Sequence, residues 1–271
     1  TKNINGESVL ITFHPHPRRV LYPETAGKGL KLINSQKEKI HLLEKTGLDH
    51  LVIINFTKAF AKTTSQEFVE DMLLGKLYAK IIIVGFNHHF GHNREGDYSY
   101  LYQLTKKYDF KVEEIPEQDL ENETVSSTII RKALLDGRIQ RANAYLDHFF
   151  IMSGKMPDGH PQCRDIGFPT LEMIIDEDVK LVPPEGVYAI SLNNINGNRY
   201  KGMLNIKKFS DHIFPSIQVH LFDYTTNYTL RNKIATITFH KRMRDELQLD
   251  GADTLKNQLE KDKSEIEQLI Y

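Results

Sequence analysis

Two short segments, one in each half of the chain, carry the residue types needed to hold phosphate. In the first half, Val125-Ser126-Ser127-Thr128 is followed by Arg131. Hydroxyls and unpaired N–H groups at a helix start favour an anion, and Arg131 lies one turn in from Thr128, beside that end. Without a ligand, the same residues are an ordinary N-cap with an exposed arginine. In the second half, Gly167-Phe168-Pro169-Thr170 sets a threonine hydroxyl directly after a constrained turn, beside the loop 157–165. Such a hydroxyl either ligates Mg²⁺ bound to a nucleotide or simply opens a strand. Together the two segments suggest two nucleotide sites on one chain.

Histidines supply the other candidates. Thr12-Phe13-His14-Pro15-His16-Pro17 closes a strand-like run, and its prolines fix the backbone as it leaves the sheet. That places both imidazoles at the ligand edge of an α/β sheet. No cysteine or carboxylate completes a metal set with them, and the plain alternative is a rigid turn with solvent-facing rings. Gly85 to His92 contains a literal H-x-G-H, His89 to His92. A phosphate-holding turn of that kind belongs at a first strand-to-helix junction, where helix N–H groups and imidazolium donors converge. Asn93-Arg94-Glu95-Gly96-Asp97 follows here instead. The string therefore reads as coincidence, its glycines letting the backbone approach a nucleotide. Arg242-Met243-Arg244-Asp245-Glu246 is a charged cluster before the last helix, by default a solvated ion-pair face.

The elements that must position these groups change character near residue 147. Before it, strand-like runs at 9–13, 51–56, 81–85 and 110–115 alternate with helical stretches. Capping boxes at Ser35/Glu38 and Thr64/Glu67 start two of those helices, and Gly47 ends the first. A third helix is expected at 98–108. Continuous apolar strands each followed by a helix predict a parallel sheet covered on both faces, with ligands beyond the carboxyl ends of its strands. Helices at 125–136 and 138–146, split by Gly137, close this half. Beyond it, strands at 170–175, 187–193, 200–206, 217–223 and 233–239 predict a small antiparallel barrel, followed by a helix over 252–270. The domains are thus expected at 1–148 and 149–271, packed closely because no long linker separates them.

Composition narrows the classes. The chain has 271 residues, 40% of them hydrophobic, and a formal net charge of −1. That is enough for real cores, and no global basic field argues for nucleic acid. One cysteine, Cys163, excludes a disulfide framework and suits a reducing, cytoplasmic setting. No apolar run reaches the length of a membrane span. Small-molecule partners and a monomer or weak homo-oligomer are the expectation. Thr1 is not an initiator Met and stands only eight residues before a strand-like run, so the chain reads as lacking its natural start.

Taken in order, the segments TFHPHP, EFVEDML, VGFNHHFG, VSSTIIR, GFPT, GVYA, MLNI, VHLFDY and RMRDE, with the Ser35–Lys39 helix start, resemble the bacterial bifunctional riboflavin kinase/FMN adenylyltransferase family, also called FAD synthetase. The likeness covers nearly the whole chain. It implies an α/β Rossmann-like nucleotidyltransferase domain, then a small antiparallel riboflavin kinase-like β-barrel with a C-terminal helix. It implies phosphorylation of riboflavin to FMN and adenylylation of FMN to FAD, with ATP as co-substrate and Mg²⁺ as cofactor. Ser126, Ser127, Thr128 and Arg131 would hold ATP phosphates during adenylyl transfer. Phe13, Pro15, His16 and Pro17 match the flavin edge of that site, and Asn87 stands where the family has an acidic residue. In the barrel, Thr170 matches the Mg²⁺–ATP threonine, Gly167 and Pro169 shape its turn, and Arg242 and Arg244 match the segment beside the flavin.

Several positions depart from the family pattern. Its phosphate-binding H-x-G-H is expected upstream of Thr1. The pattern P-T-A-N reads Pro169-Thr170-Leu171-Glu172, so a neutral metal-side ligand becomes a carboxylate. Glu172 can bind Mg²⁺ if the metal lies between it and the triphosphate. Gln218 stands where the family has the glutamate that takes the riboflavin hydroxyl proton. An amide cannot accept it, and losing a general base costs on the order of a hundred- to ten-thousandfold. Lys207-Lys208-Phe209-Ser210 lacks the family's glycine, and its basic Gly-rich stretch is thinned at 159–165. A defective kinase barrel that Gln218→Glu would improve is one expectation. A non-catalytic flavin- or nucleotide-binding paralogue, or an adenylyltransferase with an impaired barrel, are the alternatives.

Overall fold

The structure is a computed structural model and describes residues 4–120, 123–157, 170–175, 177–193, 199–208, 215–224, 230, 232–247 and 251–270. The chain forms two compact units. One contains residues 1–30 and 43–125, the other 31–42 and 126–271.

In the first unit, β1 (Val9–His14) runs into α1 (Pro17–Leu21), whose first turn is opened by Pro17. The next helix, α2 (Gln36–Leu43), starts at the expected box: Ser35 N–H donates to Glu38 Oε2 at 2.8 Å and Glu38 N–H to Ser35 Oγ at 3.2 Å. It lies in sequence between β1 and β2 (His50–Asn55) but belongs to the second unit. β1 and β2 pair in parallel, Val9 opposite His50 through His14 opposite Asn55. The Thr64/Glu67 box opens α3 (Ser65–Glu67), which continues as a π-helical stretch, Phe68–Leu74. β3 (Ile81–Gly85), α4 (Tyr98–Leu104) and β4 (Lys111–Ile115) follow, with β3 and β4 parallel.

The core of this unit gathers Val69, Leu73, Ile82, Val84, Leu101 and Phe110, with Ile11 of β1 against it. Burying each large aliphatic side chain there contributes about 1.5–3 kcal/mol. Two features differ from the predicted doubly covered sheet. Among the described residues the parallel strands form two separate pairs. The helices also cover only one face of β3: Ile82 and Val84 are buried, while Ile83, pointing the other way, is 59% exposed. A short ladder of β5 (Asp119–Leu120) and β6 (Glu123–Thr124) ends the unit.

After α2, the second unit continues with α5 (Ser127–Leu135) and α6 (Ile139–Leu146), joined through Gly137 at φ 72°. Then come β7 (Ile151–Met156), β8 (Thr170–Glu172), β9 (Gly186–Asn193), β10 (Arg199–Lys207), β11 (Ser216–Leu221), β12 (Lys233–Arg244) and α7 (Ala252–Leu269). The six strands form one curled antiparallel sheet in the order β7-β12-β9-β10-β11-β8. Its two edge strands meet just past β8, where Lys155 N–H donates to Ile174 O at 2.8 Å and Ile174 N–H returns to Lys155 O at 2.9 Å.

Strand alternation divides the barrel residues into two sets. Tyr188, Ile190, Leu192, Leu204, Val219 and Phe239 on one face are buried. On the other, Val187, Ala189 and Met203 pack under α7 through Leu259, Ile266 and Ile270. β12 runs beyond the predicted end at Phe239, carrying Arg242 and Arg244 across two register shifts. The arginine cluster therefore lies on a strand rather than in the exposed approach to the last helix.

Candidate functional site

The barrel candidates share one sheet face. Cross-strand register sets Glu172 opposite Gln218 and Gln218 opposite Asn205, and beside this row sets Thr170 opposite His220 and His220 opposite Met203. In antiparallel pairs such partners point to the same side, so Thr170, Glu172, Gln218, His220 and Asn205 project together. Met203 leads that face under α7. The polar patch is thus continuous with the α7-covered apolar one.

Thr170 and His220 are 7% and 6% exposed, and Thr170 Oγ1 lies 3.1 Å from His220 Nδ1. A hydroxyl can donate to Nδ1 while its oxygen serves as an acceptor or a cation ligand. Asn205 Oδ1 is buried without a hydrogen-bond partner among the described residues. Such an unpaired acceptor costs about 1–3 kcal/mol unless a ligand or cation meets it. Hard cations take oxygen ligands, and Mg²⁺ is held by a few protein oxygens together with substrate phosphates. Hydroxyl, amide and carboxylate oxygens on three neighbouring strands fit that chemistry. Among the described residues no group of three His, Cys, Asp or Glu is placed to hold a metal ion. Asn205 was not singled out from the sequence. Its signal was a lone polar residue inside the apolar run Met203-Leu204-Asn205-Ile206. Gly167 and Pro169 lie outside the described residues.

Arg242 and Arg244 are held within the protein. Arg242 Nη2 bonds to the Glu185 carbonyl and pairs with Asp245 Oδ1 at 2.8 Å. A Cβ on Gly186 would stand 2.6 Å from the Arg244 carbonyl, so only glycine permits this approach. Arg244 forms a fork with Asp262 of α7, Nε at 3.1 Å from Oδ1 and Nη2 at 2.7 Å from Oδ2. Tyr188, whose hydroxyl donates to Pro184 O, is pushed up to about 12, chiefly by burial.

At the start of α5, Ser126 is the N-cap, its Oγ accepting from Ile129 N–H at 3.4 Å. Ser127 and Thr128 are exposed beside it. Arg131 Nε donates to Lys31 O at 2.9 Å, within the same unit.

In the first unit, Phe13 packs edge-on to Phe56 at 5.5 Å and against Phe60 at 5.8 Å. Pro15 follows a cis peptide, and His16 caps α1 by accepting from Arg18 N–H at its Nδ1, 3.2 Å away. Asn87 is exposed and left-handed, at φ 57°. Beside it, His88 stacks on Phe90, and burial, with the His89 and Arg94 charges, lowers its affinity for a proton.

The H-x-G-H loop serves packing. Gly91 adopts φ 77°, and a Cβ there would meet Ser65 Oγ at 2.0 Å. A Cβ on Gly96 would meet Phe90 and Ser65 at 2.6 Å. His92 Nδ1 lies 3.0 Å from Ala61 O. Gly91 therefore admits the N-terminus of α3 and Gly96 a phenyl ring, whereas a Cβ on Gly85 would meet nothing within 4 Å.

Comparison with known proteins follows the same division. The sequence model of the FAD synthetase family matches residues 1–129, and that of riboflavin kinase residues 146–270. The bifunctional riboflavin kinase/FMN adenylyltransferase of Buchnera aphidicola is 31% identical over 96% of this chain and 83% of its own length. That of Bacillus subtilis is 32% identical over 94% of this chain and 80% of its own length. A Streptococcus pneumoniae crystal structure described as a macrolide-efflux protein superposes with a TM-score of 0.84 at 26% identity, covering 97% of this chain and 84% of that one. The chain belongs to the bifunctional riboflavin kinase/FMN adenylyltransferase family.

Proposed function

We propose that the protein makes FAD in two ATP-dependent steps, phosphorylating riboflavin to FMN and then joining AMP to FMN. The carrying observation is the oxygen-rich sheet face at Thr170, His220, Asn205, Gln218 and Glu172, inside the region that matches riboflavin kinase. Phosphoryl transfer asks mainly for positioning and charge neutralisation. Mg²⁺, when bound, neutralises phosphate charge. Thr170 and Glu172 are the metal-side candidates, Gly167 and Pro169 shape the turn, and Gln218 occupies the position of the family's base. Arg242 and Arg244 frame the flavin pocket through their ties to Glu185 and Asp262.

For adenylyl transfer, Ser126, Ser127, Thr128 and Arg131 are the candidates to hold ATP phosphates, and Phe13, Pro15, His16, Pro17 and Asn87 are the candidates to meet the flavin. The functional division lies at 1–148 and 149–271. Near-neutral charge and a single cysteine favour a cytoplasmic monomer or weak homo-oligomer with small-molecule partners and no nucleic acid. Among the described residues no helix is long and apolar enough to cross a membrane.

A second reading, an adenylyltransferase whose barrel binds riboflavin without phosphorylating it, rests on the amide at Gln218. Incubation with riboflavin, ATP and Mg²⁺, followed by chromatographic separation of flavins, decides between them. Both FMN and FAD are expected. FAD from supplied FMN, with none from riboflavin, supports the second reading.

A further inference from the structure

The kinase step makes a bond between the riboflavin hydroxyl oxygen and the γ-phosphorus of ATP and breaks the bond from that phosphorus to ADP. The hydroxyl proton must pass to an acceptor near the face that carries Thr170. Of the polar side chains on that face, Thr170, Asn205 and Gln218 have no basic atom at neutral pH. His220 has one, but its ring is buried, and in the tautomer that accepts from the Thr170 hydroxyl at 3.1 Å its basic Nδ1 is engaged and its Nε2 carries the proton. Glu172 carries the one carboxylate among these five, and it is half-buried directly across the strand pair from Gln218.

We propose that Glu172 is the general base of riboflavin phosphorylation, the carboxylate and amide of this pair having exchanged places across β8 and β11. The proposal rests on the kinase reading of the barrel and reassigns Glu172 from the metal to the proton. Directly opposed residues in an antiparallel pair have Cβ atoms ~5 Å apart. A carboxylate moved by that distance, on a side chain with two methylenes, still reaches a hydroxyl that approaches the row. Gln218 then offers a neutral carbonyl oxygen where a second carboxylate would repel the triphosphate. Asn205 Oδ1, buried and without a partner among the described residues, stands next to Gln218 in the row and extends the neutral oxygen set. The proton moves from the riboflavin hydroxyl to a Glu172 carboxylate oxygen as ADP leaves, and from there to solvent.

The test uses Glu172→Gln, Gln218→Glu and the double exchange in the intact protein. Single-turnover FMN formation is measured alongside riboflavin binding by flavin fluorescence and MgADP binding by calorimetry. Glu172→Gln is expected to slow FMN formation about a hundred- to ten-thousandfold with both ligands still bound. Gln218→Glu alone brings no gain, and the double exchange restores most of the rate. Undiminished FMN formation by Glu172→Gln, or loss of its MgADP affinity, overturns the assignment. So does a faster Gln218→Glu variant. If the wild type makes no FMN, the kinase reading itself fails, whereas a normal wild-type rate with an equally fast Glu172→Gln sinks only the base assignment.

Discussion

Lys180 and Glu38 form an ion pair of 2.6 Å with both side chains wholly excluded from solvent. Lys180 Nζ also donates to the carbonyls of Ile33 and Ile151 and lies 4.3 Å from the Phe150 ring centre. Glu38 accepts in addition from Ser35 N–H at 2.8 Å and Ser153 N–H at 2.6 Å. Burial pulls the Lys180 ammonium down to about 8 against the opposing pull of Glu38. Beside it, Leu32 bridges Lys180 in parallel. One network thus fastens residues 31–42 to the barrel, although they precede it by more than a hundred positions in sequence.

Breaking this pair on one side is expected to cost about 3–5 kcal/mol, because a buried carboxylate would lose its cation. Lys180→Met should show that loss in urea unfolding. Lys180→Met combined with Glu38→Gln removes the orphaned charge and recovers most of it. Equal losses in the single and double variants would mean that the charge is not what matters.

Acid sensitivity should trace partly to His240. Its Nε2 lies 2.9 Å from Ser191 Oγ and its ring packs on Phe149 at 4.6 Å. Burial first, and the Arg199 charge second, push the imidazole from 6.5 down to about 4. Between those values the unfolded chain binds a proton that the folded protein does not, so stability falls as pH drops through that window. The contribution is complete above pH 6.5. His240→Gln should flatten this part of the stability–pH curve, and an unchanged slope would assign it to other groups.

What the sequence discloses depends on how local the determinant is. Both capping boxes were legible because donor and acceptor stand three residues apart, and they form as expected. Apolar runs located β2, β3 and β9 through β11 within a residue or two. β7 was not recognised, since Ser153-Gly154-Lys155 interrupts its apolar pattern. β12 was cut short because its last residues are charged; they belong to the strand through register shifts and long-range partners. Position 218 shows the same limit. Alone, Gln218 signals a lost base, and only the register reveals the carboxylate of Glu172 opposite it.

The loop from His89 to His92 should prove dispensable for adenylyl transfer but not for folding. His89 is exposed, and His89→Ala is expected to leave FAD formation from FMN within a few fold of wild type. Gly91→Ala forces a Cβ into a left-handed residue and onto Ser65, costing about 2 kcal/mol or more. A large turnover loss in a fully folded His89→Ala protein would restore a phosphate-holding role to this string.

The Arg244–Asp262 fork should govern riboflavin affinity through α7. Asp262 is 3% exposed, and it also accepts from Gln258 Nε2 at 2.8 Å. Arg244→Ala leaves that carboxylate buried without its cation, at a cost of about 3–5 kcal/mol. Arg244→Lys keeps the charge but loses the planar fork, so it should fall between the two. Because α7 covers Met203 and Ala189 on the face that continues into the Thr170 patch, loosening it should weaken riboflavin binding as stability drops. Adding Asp262→Asn to Arg244→Ala removes the stranded charge, and stability and affinity should return together. Recovered stability with affinity still lost would place the guanidinium in direct contact with the flavin.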